Sequence, residues 1–141
     1  MFRRLVAVLL VLHGFAHVVG FFAAFRLGDL ASRSVDTTLL WGRIDIGVGA
    51  TQAMGFGWLL LAVAFAGTAV AIWHATRTAV LDLVVVTLIS LVFTILASPT
   101  AIVGLGVNIA IIAGLLVYEG MFGRKASRRL LSRSGPSLPT R

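Results

Sequence analysis

Two histidines four residues apart, His13 and His17, are the groups in this chain best placed to do chemistry. On a helix, residues i and i+4 share a face, one turn above the other. Such a pair can hold a metal, relay a proton or hydrogen-bond a ligand. A zinc site usually needs a third protein ligand, so the groups level with the histidines decide which chemistry is open. Both lie near the middle of Leu5–Phe25, LVAVLLVLHGFAHVVGFFAAF, a run long enough to cross a bilayer. Ionisable side chains at that depth are costly against lipid and turn toward other helices.

The elements that must supply that company follow from hydropathy. Further apolar runs cover 53–73, 79–97 and 101–121. With the first at about 5–25, they predict an all-α fold, an antiparallel four-helix bundle integral to the membrane, over residues 1–122. A basic tail, 123–141, is expected to be disordered on the cytoplasmic side. If the N-terminus is cytoplasmic, the inside holds Arg3, Arg4, Arg77, Arg124, Lys125, Arg128, Arg129, Arg133 and Arg141. The outside then holds Arg26, Arg33 and Arg43. That imbalance predicts N-in, C-in and a multi-pass protein of the plasma membrane.

At about 1.5 Å per residue, His13 lies roughly 12 Å and His17 roughly 18 Å from the inner boundary. Thr87 and Ser90 on the third helix fall at nearly those depths, and Asn108 on the fourth slightly outside His17. Thr87, Ser90 and Thr94 share a face. Hydroxyls and an amide are good hydrogen-bond partners and poor ligands for zinc or iron, so no metal or cofactor is expected. His13, His17, Thr87, Ser90 and Asn108 form the candidate ligand-binding set. The leading reading of this set is a packed polar seam, with a pocket as the alternative.

Composition supports the class. The chain has 141 residues, of which 59% are hydrophobic, and a mean hydropathy of +1.03, more than a soluble globule this small can bury. The absence of cysteine excludes disulfides and thiolate sites. A net charge of +7 would suggest nucleic acid in a soluble protein. Here the basic residues read as topology determinants, and the expected partners are the bilayer and, at the tail, anionic headgroups. Leu5–Phe25 exceeds the 7–15 residues of a signal-peptide core, so it is expected to be a retained helix. No GxSxG, phosphate-binding loop, HExxH or paired-carboxylate motif occurs. Of five acidic residues, Asp82 and Glu119 alone fall within spans, near their ends, so the chain reads as non-enzymatic.

Two features of the connections complete the reading. Between residues 26 and 52, alternation of Trp41, Arg43 and Asp45 suggests an extended piece. Asp36 before Thr-Thr-Leu-Leu-Trp equally suggests an N-capped interfacial helix, which is slightly favoured. Ala16, Gly20 and Ala24 form one strip of small residues, and Gly106, Ala110 and Gly114 another. These predict contact between the first and fourth helices, within one chain or across a homo-oligomer.

His13-Gly14-x-x-His17-x-x-Gly20-Phe21, Gly55-x-x-Trp58 and Asn108 together resemble a group of small bacterial four-helix integral membrane proteins, with a looser likeness to DoxX-type proteins. The resemblance covers residues 1–120 and implies the architecture. That group has no assigned activity, so it implies no reaction. Two functions follow: a structural or accessory subunit of a membrane assembly, or a ligand- or proton-handling protein with an intramembrane pocket around His13 and His17.

Overall fold

The computed structural model describes residues 1–27 and 36–133, without the side chains of Phe2 and residues 118–133. Four helices form within them: α1 (Phe2–Ala24), α2 (Gly47–Trp73), α3 (Ala79–Leu96) and α4 (Ile102–Arg133). Between α1 and α2 lies a small antiparallel hairpin of β1 (Thr38–Leu39) and β2 (Ile44–Asp45). The fold is the expected all-α bundle. Three of its helices, α1, α2 and α3, are long and apolar enough to cross a membrane, and α4 is apolar over Ile102–Val117.

The bundle is inverted relative to a water-soluble protein. Leu12, Phe15, Leu60, Val63, Leu81 and Val103 are exposed, while His13, His17, Thr87, Ser90, Thr94 and Asn108 are buried. Lipid is as apolar as leucine, so outward-facing aliphatic residues cost nothing there and the polar groups gather inside.

Local chemistry fixes the helix ends. After α1, Arg26 takes φ +55. Leu27 N–H then donates to Phe22 O at 2.9 Å and Arg26 N–H to Ala23 O at 3.3 Å. The same arrangement closes α2 around Ala75, with Thr76 N–H on Ala71 O at 3.0 Å. Both satisfy carbonyls that the last helical turn leaves open. α2 begins at Gly47 rather than Ala53 because Asp45 Oδ1 accepts from Gly47 N–H at 2.9 Å and Thr51 Oγ1 donates to Gly47 O at 2.9 Å. Polar Thr51 and Gln52 therefore belong to a helix that rises past its apolar span.

Two further expectations are corrected. Asp36 does not start an interfacial helix. Its Oδ1 accepts from Thr38 N–H at 3.0 Å and from Thr38 Oγ1–H at 2.7 Å, a turn that leads into β1. The basic stretch 123–133 is helical, as the continuation of α4. Residues 134–141 of the expected tail lie outside the described residues.

Packing is uneven. α1 lies closest to α2. A methyl group on Gly14 would come within 2.8 Å of Phe65 Cβ, one on Gly20 within 2.7 Å of the Trp58 ring, and one on Gly55 within 2.6 Å of Ala24 Cβ. α3 packs against both α2 and α4, whereas α1 and α4 barely meet. The predicted α1–α4 contact through small residues is therefore not formed within the chain. Gly20 and Ala24 serve α2, and a methyl group on Gly106 or Gly114 would meet nothing within 4 Å. At the end where α1 begins, Ala7, Leu10, Phe65, Ala69 and Leu83 form an apolar plug. The polar residues lie above it, and beyond them the bundle opens.

Candidate functional site

The rise of α1 places His13 and His17 on one face, with ring centroids 4.8 Å apart. One side of each ring rests on α2: His13 meets Phe65 edge-on at 4.8 Å, and His17 lies 5.2 Å from Trp58 and 5.4 Å from Phe65. Glycines 14 and 20 permit this by letting α1 approach those aromatic residues. The opposite side faces α3 and α4. His13 Nε2–H donates to Asn108 Oδ1 at 3.1 Å. Asn108 Nδ2 donates to Ser90 Oγ at 2.9 Å and to Thr94 Oγ1 at 3.3 Å. Ser90 Oγ and His17 Nε2 are 2.9 Å apart. Thr94 Oγ1 turns its own hydrogen onto the backbone of α3, within 3.0 Å of Ser90 O and 2.9 Å of Leu91 O.

The structure thus joins His13, His17, Ser90 and Asn108 in one network. Asn108 bridges levels: it reaches down to His13 and across to Ser90 and Thr94, instead of sitting beside His17. Thr87 departs from expectation. It is fully buried, and its Oγ1 is the one buried side-chain polar atom among the described residues without a partner. Thr94, which shares a face with Thr87 and Ser90 in the sequence, joins the network although it stands outside the candidate set. Phe65 and Trp58 also stand outside that set: Phe65 reads as an ordinary apolar residue of the second span, and Trp58 figures in the sequence only as part of the Gly55-x-x-Trp58 motif.

Beside this network is a cavity of about 480 Å³, within the range of small-molecule sites. It occupies the gap that α1 and α4 leave between them. His13 and His17 line one part, with Ala16, Val19, Val103 and Val107 on the walls. Thr87, Ser90 and Asn108 do not line it; Ser90 and Asn108 hold the histidines from behind. The hairpin supplies Asp36, Thr38 and Leu39 at the mouth. Val19 and Val103 are both exposed as well, so the cavity opens along the apolar flank between α1 and α4.

The chemistry that these groups carry is hydrogen bonding. Among the described residues, no group of three His, Cys, Asp or Glu side chains could hold a metal. The hydrogen-bonded path between the histidines runs through a carboxamide, which donates and accepts but does not release its own protons near neutral pH. The network therefore positions two rings and is a poor proton wire. No protein-family model, curated protein or solved structure matches the chain, so the site is read from its geometry.

Proposed function

We propose that the chain is a multi-pass protein of the plasma membrane that binds a small, mainly apolar molecule in the cavity between α1 and α4. The observation that carries this reading is the cavity itself. About 480 Å³ is open between the apolar faces of α1 and α4, and two histidines held by a hydrogen-bond network line it. A purely structural seam has no need of such a space, because packing across it would gain dispersion contacts. On this reading both termini are cytoplasmic, the mouth faces outward, and the basic end of the chain lies at the anionic leaflet. There each Lys or Arg contributes about 1 kcal/mol.

The test uses Trp58, which lines the cavity, as an energy donor in a Trp41→Phe, Trp73→Phe background. N-phenyl-1-naphthylamine should quench it saturably at one site per chain. Ala16→Phe should fill the cavity and weaken that binding at least tenfold without lowering the melting temperature. Linear, unsaturable partitioning that is the same in both proteins would rule the site out.

A second reading, an accessory subunit or homo-oligomer, is favoured by a separate observation. Gly106 and Gly114 lie on α4 with open space beside them, a face that another transmembrane helix could approach closely.

A further inference from the structure

The network fixes more than the positions of the histidines; it fixes which ring nitrogen of each carries hydrogen. The reasoning starts at Thr94. Its hydroxyl hydrogen goes to the backbone at Ser90 O or Leu91 O, so toward Asn108 it can only accept. The Asn108 amide nitrogen therefore faces Thr94 and Ser90, and its oxygen faces His13. A carboxamide oxygen is an acceptor, so His13 carries its hydrogen on Nε2. Ser90 Oγ accepts from Asn108 and has no acceptor among the described residues other than His17 Nε2. Its hydrogen is donated there, so His17 carries its own hydrogen on Nδ1. The two histidines are opposite tautomers.

The remaining nitrogens face a different environment. Neither Nδ1 has a hydrogen-bond partner among the described residues, and neither is among the buried polar atoms that lack one. Each therefore keeps some exposed surface on an otherwise buried ring, and both residues line the cavity. His13 presents a lone pair and His17 an N–H, on rings whose centroids are 4.8 Å apart. The neighbouring walls are aliphatic. No Lys or Arg lines the cavity among the described residues, and the mouth carries the Asp36 carboxylate. An anionic head would find no counter-charge there and would be repelled at the mouth.

Building on the ligand-binding reading above, we infer that the cavity selects a neutral amphiphile whose head carries a hydrogen-bond donor and an acceptor on two atoms bonded to one carbon, the primary carboxamide being the simplest case. The donor binds His13 Nδ1, the acceptor receives His17 Nδ1–H, and the alkyl body lies between Val19, Val103 and Val107. Opposite tautomers are what make one bidentate head fit. Two identical tautomers would offer two donors or two acceptors.

The experiment uses the full chain in lipid nanodiscs with ¹⁵N-labelled histidine. Long-range ¹H–¹⁵N spectra, assigned with His13→Gln and His17→Gln, report which nitrogen of each ring is protonated. Decanamide, N,N-dimethyldecanamide and decane are then titrated as probes. The expected result is hydrogen on Nε2 of His13 and on Nδ1 of His17, with both Nδ1 signals shifted by decanamide. Decanamide should bind about tenfold more tightly than the dimethyl amide, which lacks the donor, as expected for one net hydrogen bond. Ser90→Ala removes the donor that fixes His17 and should reduce that preference to less than threefold. Matching tautomers in the two rings, or equal saturable binding of all three probes, would overturn the inference while leaving an apolar-ligand site intact. No saturable binding of any probe would remove the ligand-binding reading and this one together.

Discussion

Thr87 and Ser90 are both fully buried on α3, yet their hydroxyls are in opposite situations. Ser90 Oγ is shared between Asn108 and His17, while Thr87 Oγ1 has no partner among the described residues. An unmade hydrogen bond on a buried group costs about 1–3 kcal/mol, so the two sites should respond oppositely to loss of polarity. Thr87→Val keeps the shape and removes the orphan, and should raise stability in detergent by about 1 kcal/mol. His17→Leu leaves the Ser90 hydroxyl without its acceptor and should lower stability by about 1–3 kcal/mol. Melting of both variants checks this; a loss of stability in Thr87→Val would mean that its hydroxyl is in use. The polar seam was legible in the sequence because depth follows from counting residues along apolar runs. That count placed Ser90 and Asn108 beside the histidines. It could not show that the Thr87 hydroxyl is left without a partner, because pairing depends on side-chain direction as well as depth.

At the scale of elements, the two strips of small residues look alike in sequence and behave differently in the fold. Gly55 meets Ala24 Cβ, whereas Gly114 meets nothing. Gly55→Leu should therefore separate α1 from α2 and sharply reduce the yield of folded protein, whereas Gly114→Leu should leave a monomeric chain unaffected. Loss of yield in Gly114→Leu, with a fall in oligomer mass, would instead identify α4 as an interface between chains. Which helices touch was not readable, because hydropathy and spacing define a face without naming its neighbour. The hairpin was equally hidden. Leu40 and Trp41 sit at φ +50 and +59, a strained region for bulky side chains that carries no turn signature. Tertiary bonds hold them there: Leu40 N–H donates to Leu96 O and Trp41 N–H to Ser98 O, both at 2.9 Å, capping the open end of α3. At the base of this hairpin, the Thr38 hydroxyl and then its backbone N–H hold the Asp36 carboxyl below the usual aspartate range. A depressed folded pKa stabilises above the unfolded value, near pH 3.9, and that stabilisation is lost as pH falls through the folded one. Amide exchange at Leu40 and Trp41 should therefore quicken, relative to neighbouring amides, on acidification through this range, and Asp36→Asn should abolish the effect. An unchanged acid response in Asp36→Asn would place the sensitive group elsewhere.

For the whole molecule, the arrangement is a gradient along the bundle axis: an apolar plug where α1 begins, a hydrogen-bonded layer at mid-depth, and a cavity beneath the hairpin. On the proposed reading, its direction across the membrane decides which side supplies the ligand. On the proposed four-span topology, nine Lys and Arg residues fall on the side of the N-terminus and Arg26, Arg33 and Arg43 on the other, which favours a cytoplasmic plug and an outward mouth. The chain has no cysteine, so single thiols can report this without background. Thr100, between α3 and α4, lines the cavity mouth, and Thr76 lies in the link between α2 and α3 at the opposite end. In intact cells Thr100→Cys should react with a membrane-impermeant maleimide and Thr76→Cys should not, with both reacting once the membrane is permeabilised. The reverse pattern would invert the bundle and open the cavity to the cytoplasm. Pre-incubation with decanamide should slow labelling of Thr100→Cys if the ligand passes the hairpin. Unchanged labelling, with binding intact, would point to access through the bilayer between Val19 and Val103.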